Sequence, residues 1–409
     1  MSKAVINESG KEWVPLAAAS PSLQTAPRPI RVLHVHSGNL YGGVETMLLT
    51  QVRGRDLCPA LELSFALCFE GRLSEELAAL GTTVYQLGQV RIRQPLTVRR
   101  ARVALRELLR REAFDVLVTH SCWSQAIFGP VARAAHLPLV FYLHGPAQGR
   151  HWLDWLERWA RRTAPDVVLC NSRFTAATLS QLYPHARTET VYCPVAPPPV
   201  SYSKADTKET RAELQTPPDA TVIIQVSRME TLKGQLIHLE ALSLMKDLPG
   251  WVCWQVGGAQ RPDEIQYLAE LKRAAAHLGI AKRVRFLNER SDVARLLAAA
   301  DIYCQPNTDP DSFGISFIEA LYAQLPIVTT NIGGAREIVD DSCGVLVPPG
   351  DAPALATALR RLIQEREFRL NLGTAGPQRA LALCDPAVRL NQFHAAVSSI
   401  QTQHSSTNR

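Results

Sequence analysis

Long apolar runs are missing from this chain. Nowhere do about 18 apolar residues follow one another, so no membrane-crossing helix is expected. Charge is sparse, at 20% of residues against 46% hydrophobic, which suits a soluble globular protein rather than a disordered one. Paired cysteine spacing is missing too: the 9 cysteines are odd in number and scattered, and Cys170, Cys253 and Cys304 sit inside apolar strand-like runs. Buried reduced thiols fit that pattern better than a disulfide framework or a zinc site, and they suggest the cytoplasm. The start lacks the charged-then-apolar layout of a secretion signal. Residues 1–29, rich in Ala, Ser and Pro, read as a disordered leader. The glycine fingerprint G-x-G-x-x-G is absent as well, which argues against dinucleotide binding.

What is present is a regular alternation. A chain of 409 residues exceeds one ordinary core, so two domains are expected. From residue 30, short apolar runs ("RVLHVHS", "LSFALCFE", "TTVYQL", "DVLVTH", "PLVFYLHG", "PDVVLCNS") alternate with helix-period segments. This grammar implies a parallel sheet covered on both faces. The proline-rich "CPVAPPPVSYSK", residues 193–204, breaks it, because proline continues neither element. The pattern then restarts with "TVIIQVSR" and runs through "WVCWQVGG", "VRFLNE", "DIYCQP", "PIVTTN" and "GVLVPPG". The expected division is a first Rossmann-like domain at 30–195, a hinge at 196–204, a second at 205–385, and a final segment at 386–409. Ligands of such sheets bind beyond the carboxyl ends of the strands, and here in the cleft between domains.

The loops after those strands carry the candidate chemistry. "SGNLYGGVET" offers Gly42 and Gly43 just before a helix, where bare amides suit an anion such as a diphosphate; a merely tight turn is the simpler alternative. "SRMETLKG" offers Arg228 as a forked phosphate contact and Lys233 as a point charge. His120 and His144 each end a strand on one rim, and His144, followed by Gly145 and Pro146, ranks first as a donor to a substrate hydroxyl or oxyanion. In "DPDSFGISFIEA", Asp311 precedes a helix start at Phe313, Gly314 and Ile315, and Glu319 lies about two turns further in among apolar residues. A carboxylate so placed needs a polar partner. Adjacent ribose hydroxyls would serve Glu319, and the helix-start amides would favour phosphate oxygens beside Asp311.

Arginine crowds residues 91–111. Arg99, Arg102, Arg106 and Arg110 would share one helix face, either simply solvated or drawn to an anionic lipid or acidic substrate. Trp152, Trp155 and Trp159 follow at helical spacing, with core packing the plainer reading and acceptor or membrane contact the other.

Taken together, these segments resemble the retaining glycosyltransferases of the GT-B fold, family four, from about residue 30 to 400 and most closely over 221–350. "DSFGISFIEA" is similar to that family's Glu, seven residues, Glu signature, with Asp311 standing where the first Glu is usual. "VSRMETLKG" resembles its diphosphate-gripping segment, "YGGVET" its glycine loop near the acceptor, and "HG" at His144 its active-site histidine. The resemblance implies an α/β fold of two facing Rossmann-like domains, with a last helix crossing back to the first. It implies sugar transfer from a nucleotide-diphosphate-sugar to a hydroxyl acceptor, carbohydrate or lipid-linked, in polysaccharide, glycolipid or other glycoconjugate synthesis. His144, Asp311, Arg228 and Lys233 would be catalytic, with Gly42, Gly43, Phe313, Gly314, Ile315 and Glu319 on the donor. No cofactor, metal or nucleic acid is implied, "DPD" being discounted as a metal motif. The alternatives are a non-catalytic nucleotide-sugar binder and a sugar-nucleotide epimerase.

Overall fold

A strand that is apolar at nearly every position must be covered on both faces, and both sheets meet that need with helices. The computed structural model describes residues 28–147 and 154–407. Most of the expected leader and Trp152 therefore lie outside the described residues. The first sheet comprises β1 (Ile30–His36), β2 (Leu61–Leu67), β3 (Val84–Gln86), β4 (Val116–His120), β5 (Leu139–Leu143), β6 (Val167–Cys170) and β7 (Thr188–Thr190). The second comprises β8 (Thr221–Val226), β9 (Trp251–Val256), β10 (Val284–Phe286), β11 (Ile302–Gln305), β12 (Ile327–Thr330) and β13 (Gly344–Val347).

Strand order is 3-2-1-4-5-6-7 in the first sheet and 10-9-8-11-12-13 in the second. All pairings are parallel, Val32 lying opposite Val116 and Ile302 opposite Ile223. The order reverses between β1 and β4 and again between β8 and β11, and a crevice forms beyond strand ends where it does. The carboxyl ends of β1, β4, β8 and β11 thus mark the two crevices. This is the GT-B arrangement that the sequence implied.

Among the elements not foreseen are β7, a three-residue edge strand, and the helix Lys204–Glu213, which starts at the last residue of the expected hinge and is capped by Ser203, whose hydroxyl accepts from the Asp206 amide. The arginine helix spans Pro95–Arg111 and buries Val98, Ala101, Leu105 and Leu108. Its expected basic face is one residue poorer: Arg102 turns inward and donates to the carbonyls of Ile127 (2.7 Å) and Ala126 (3.1 Å), while Arg99, Arg106 and Arg110 stay exposed. Pro130, inside the helix Ser121–Ala134, has no N–H to give the Ala126 carbonyl, and the Arg102 guanidinium donates there instead. The nine cysteines are free thiols, eight of them buried.

The halves touch at several points. Tyr41 and Gln260 exchange two hydrogen bonds, Arg72 meets Glu289 at 3.2 Å, and Tyr192 stacks on Phe313 at 5.3 Å. Glu337 accepts from the amides of Arg173 and Phe174 and from the Tyr192 hydroxyl. The last helix, Pro386–Thr407, packs on the first sheet, with Phe393 stacked on His34.

Candidate active site

The donor-side loops approach closely because glycine lets them. Gly234 follows Lys233 with φ +69°, and a Cβ there would fall 1.7 Å from the carbonyl oxygen of Pro306. The loop after β8 can therefore lie directly against the exit of β11. That contact brings Lys233 to Asp311: Nζ lies 2.5 Å from Oδ2, and the Ser312 amide donates to Oδ1 (2.9 Å). Burial alone would push the Asp311 carboxyl up, but Lys233, the Ser312 amide and Arg228 together hold it below its ordinary value. Arg228 is also engaged, with Nη2 at 2.5 Å from Glu230 and Nη1 at 3.1 Å from Glu264.

Glu319 has no such support. It lies half-buried on the helix Ile315–Tyr322, and its side chain has no hydrogen bond or ion pair among the described residues. Burial pushes its carboxyl up to about 7. A half-neutral acid at a cleft wall is ready to accept from a ligand's hydroxyls. Phe313 is 1% exposed and its ring is spent on Tyr192, so only its backbone can reach a ligand. Gly314, at φ +108°, turns the chain into the helix.

From the other half, Gly42 and Gly43 open the helix Gly43–Arg53, and the Gly42 amide donates to Glu45 (2.8 Å). Gly43 faces Ile315 across the cleft: a Cβ there would sit 3.7 Å from its Cδ1, an ordinary contact. The first half's glycine loop and the second half's helix start thus share one cleft.

The histidines form a chain that the sequence did not reveal in full. His144 Nε2 lies 2.8 Å from His120 Nδ1, and His120 Nε2 lies 2.9 Å from His34 Nδ1. His34 Nε2 is buried without a partner among the described residues. Burial drives His144 and His34 down to about 3 and His120 well below its ordinary value, so all three rings are neutral. A neutral His120 has one proton, which fixes the order along the chain. Either every Nδ1 is protonated or every Nε2 is, so the nitrogen His144 leaves open is a donor in one state and an acceptor in the other. His36 is bound separately, 2.7 Å from Glu45. The Asn171 amide bridges the halves, reaching the His144 carbonyl (3.4 Å) and the Ser312 hydroxyl (3.3 Å).

His144, Gly42 and Gly43 therefore line the first-half rim, and Arg228, Lys233, Asp311, Gly314, Ile315 and Glu319 the second; His120, expected on the rim, is fully buried behind His144, where its ring bridges His144 and His34. Residues missed by sequence reasoning are His34, Glu230, Glu264 and Asn171. A polar residue repeated at every second position of "VLHVH" was the available signal for His34.

Comparison with known proteins agrees with this geometry. The family model Glycosyl transferases group 1 matches residues 206–379, and Glycosyltransferase Family 4 matches 41–197. Human alpha-1,3/1,6-mannosyltransferase ALG2 is 26% identical over 318 residues, 71% of this chain and 74% of that one. The D-inositol 3-phosphate glycosyltransferase of Corynebacterium urealyticum is 33% identical over 185 residues, under half of either chain at 42% each. Among solved structures, Anabaena Alr3699/HepE in complex with UDP-glucose superposes with a TM-score of 0.81 at 24% identity, over 90% of this chain and 100% of that one. With both halves matched and the two-sheet fold in place, the chain belongs to the GT-B glycosyltransferases of family four and is an enzyme that transfers a hexose from a nucleotide-sugar.

Proposed function

We propose that the chain is a retaining, metal-independent transferase that moves a hexose from a nucleoside-diphosphate sugar to a hydroxyl of a carbohydrate or lipid-linked acceptor. Its setting would be cytoplasmic synthesis of a polysaccharide, glycolipid or other glycoconjugate. Residues 30–195 would serve the acceptor and 205–385 the donor. The observation that carries the reading is Glu319, a half-buried carboxyl with no side-chain partner among the described residues, on the helix that follows Asp311, while the cations Arg228 and Lys233 are held only by exchangeable ion pairs to Glu230, Glu264 and Asp311.

The ribose diol would donate to Glu319, and the diphosphate would compete with Glu230, Glu264 and Asp311 for Arg228 and Lys233. Those cations and the amides at Gly314 and Ile315 would stabilise the leaving diphosphate without a metal. On the opposite rim, Glu45 is already bound to His36 and to the Gly42 amide, which disfavours it as a nucleophile for double displacement. A same-face displacement follows, with the leaving diphosphate taking the acceptor proton and His144, neutral, holding a substrate hydroxyl. The exposed Arg99, Arg106 and Arg110 support a peripheral contact with anionic membrane. No helix among the described residues is long and apolar enough to cross one.

The test is a thermal-shift panel with UDP, GDP, ADP and NAD, with and without magnesium, followed by NMR of the product's anomeric carbon. A shift with one nucleoside diphosphate, independent of magnesium, and an unchanged anomer are expected. A shift only with magnesium, or an inverted product, would overturn the mechanism.

A further inference from the structure

Beyond the donor cleft, the first half contains a pocket of about 820 Å³ lined by Arg91, Ile92, Arg93, Gln94, Trp123 and Trp155. Its three contributing segments each follow the carboxyl end of a strand. Arg91 to Gln94 belong to the connection after β3, Trp123 to the first turn of the helix Ser121–Ala134 after β4, and Trp155 to the helix Asp154–Ala160 after β5. In a parallel sheet those ends share one rim, so the pocket opens on the side that carries His120 and His144. Trp123 is three residues past His120 along the chain.

The walls are fixed and their chemistry is specific. Thr97 pins the Arg91 turn, its hydroxyl accepting from the Arg91 amide (2.9 Å) and donating to the Gln94 carbonyl (2.7 Å). Trp155 stacks on Trp159 (6.3 Å, 25°), which lies under the inward-turned Arg102 (5.6 Å). Trp123 packs edge-on against Phe128 (6.2 Å). Yet Trp155 remains 43% exposed, and Arg91 and Arg93 are exposed with no ion pair among the described residues. Both lie in the loop that lines the pocket.

We propose that this pocket is the acceptor's subsite and that it takes a saccharide bearing a phosphate. The indole of Trp155 would carry the apolar face of the sugar ring, and the two guanidiniums would take the phosphate by forked contacts. The volume suits one or two sugar rings. The proposal rests on the transferase reading, since an acceptor is needed only if a sugar is transferred. The phosphate could come from a free sugar phosphate or from a lipid-linked one.

Tryptophan fluorescence of the full chain can separate these cases. The probes are mannose 6-phosphate, mannose, inorganic phosphate, and vesicles of phosphatidylcholine containing either phosphatidylinositol or phosphatidylglycerol. The variants are Arg91→Ala/Arg93→Ala and Trp155→Leu, each checked for an unchanged shift with the nucleoside diphosphate that binds the donor site. We expect mannose 6-phosphate to bind more tightly than mannose or phosphate, with at least a tenfold loss in both variants. Binding of phosphatidylinositol vesicles alone, with the same losses, assigns the phosphate to a lipid and also supports the subsite. Equal binding of phosphatidylglycerol vesicles would replace the saccharide with a membrane surface and overturn it. So would wild-type affinity in the double variant, or no binding of any probe while the nucleotide still binds. In that last case the donor site stands and this proposal alone fails.

Discussion

Replacing Glu319 by glutamine should stabilise the protein, by an amount that grows as pH rises from 4.5 and is complete above about 7. The carboxyl moves from its ordinary 4.5 to about 7 because burial disfavours the charged form. Below 4.5 the group is protonated in both folded and unfolded chains, and it contributes no pH dependence. Between 4.5 and about 7 the folded chain keeps a proton that the unfolded chain has released, so stability falls as pH rises. Above 7 the full penalty is present, up to about 3 kcal/mol at about 1.36 kcal/mol per pH unit. Glutamine keeps the shape and removes the charge. Urea denaturation of Glu319→Gln against wild type should therefore show no difference at pH 4.5 and a gain of about 2–3 kcal/mol at pH 8. The same variant should bind the nucleoside diphosphate more weakly, because a neutral amide accepts from a diol less strongly than a carboxylate. Wild-type binding should also release a proton near pH 6.5, which calorimetry in buffers of different ionisation heat would register. An equal effect at both pH values, or a loss of stability at pH 8, would refute the reasoning.

Lys233→Ala should cost about 3 kcal/mol by stranding the Asp311 carboxylate. Adding Asp311→Asn should restore most of that stability in urea, while nucleotide binding stays lost; a single variant as stable as wild type would show the pair to be idle. His120→Gln should lower kcat by about tenfold or more with nucleotide affinity unchanged, since it breaks the proton order that sets His144; steady-state kinetics at saturating donor would reveal an unaffected kcat if this is mistaken. Gly234→Ala should cost on the order of 3 kcal/mol or more, against about 1 kcal/mol for Gly250→Ala. Both have left-handed backbone, but a Cβ at Gly234 meets the Pro306 carbonyl whereas one at Gly250 meets nothing within 4 Å. Similar melting curves for the two would contradict the role assigned to the close approach.

The sheets were legible because strands buried on both faces are unbroken apolar runs, as in "TVIIQV" and "WVCWQV". β7 was not, being three half-exposed polar residues on an edge. The helix Lys204–Glu213 was hidden for the opposite reason: it buries only Thr210, so no apolar period marks it. Within the site, motif spacing pointed to Arg228, Lys233, Asp311 and Glu319 one by one. It could not show that Lys233 and Asp311 meet, because that contact joins loops 78 residues apart. Strand ends suggested His120 and His144, while His34 lies inside a strand, where sequence alone reads it as part of the sheet. Arg102 misled because its helical position matched its exposed neighbours, and only the carbonyls of a second helix turned it inward.

The ring of Phe393 on His34 sets a timetable for synthesis. The first sheet emerges early from the ribosome, yet the side of β1 and β2 bearing His34 and Phe65 is closed by Leu390, Phe393 and Val397 of the last helix. At about 5–20 residues per second, the second half takes roughly 10–40 s to follow. For that interval the nascent first half stands with an uncovered apolar flank, open to chaperones or to a neighbouring chain on the same message. A ribosome stalled before Pro386 would hold it there.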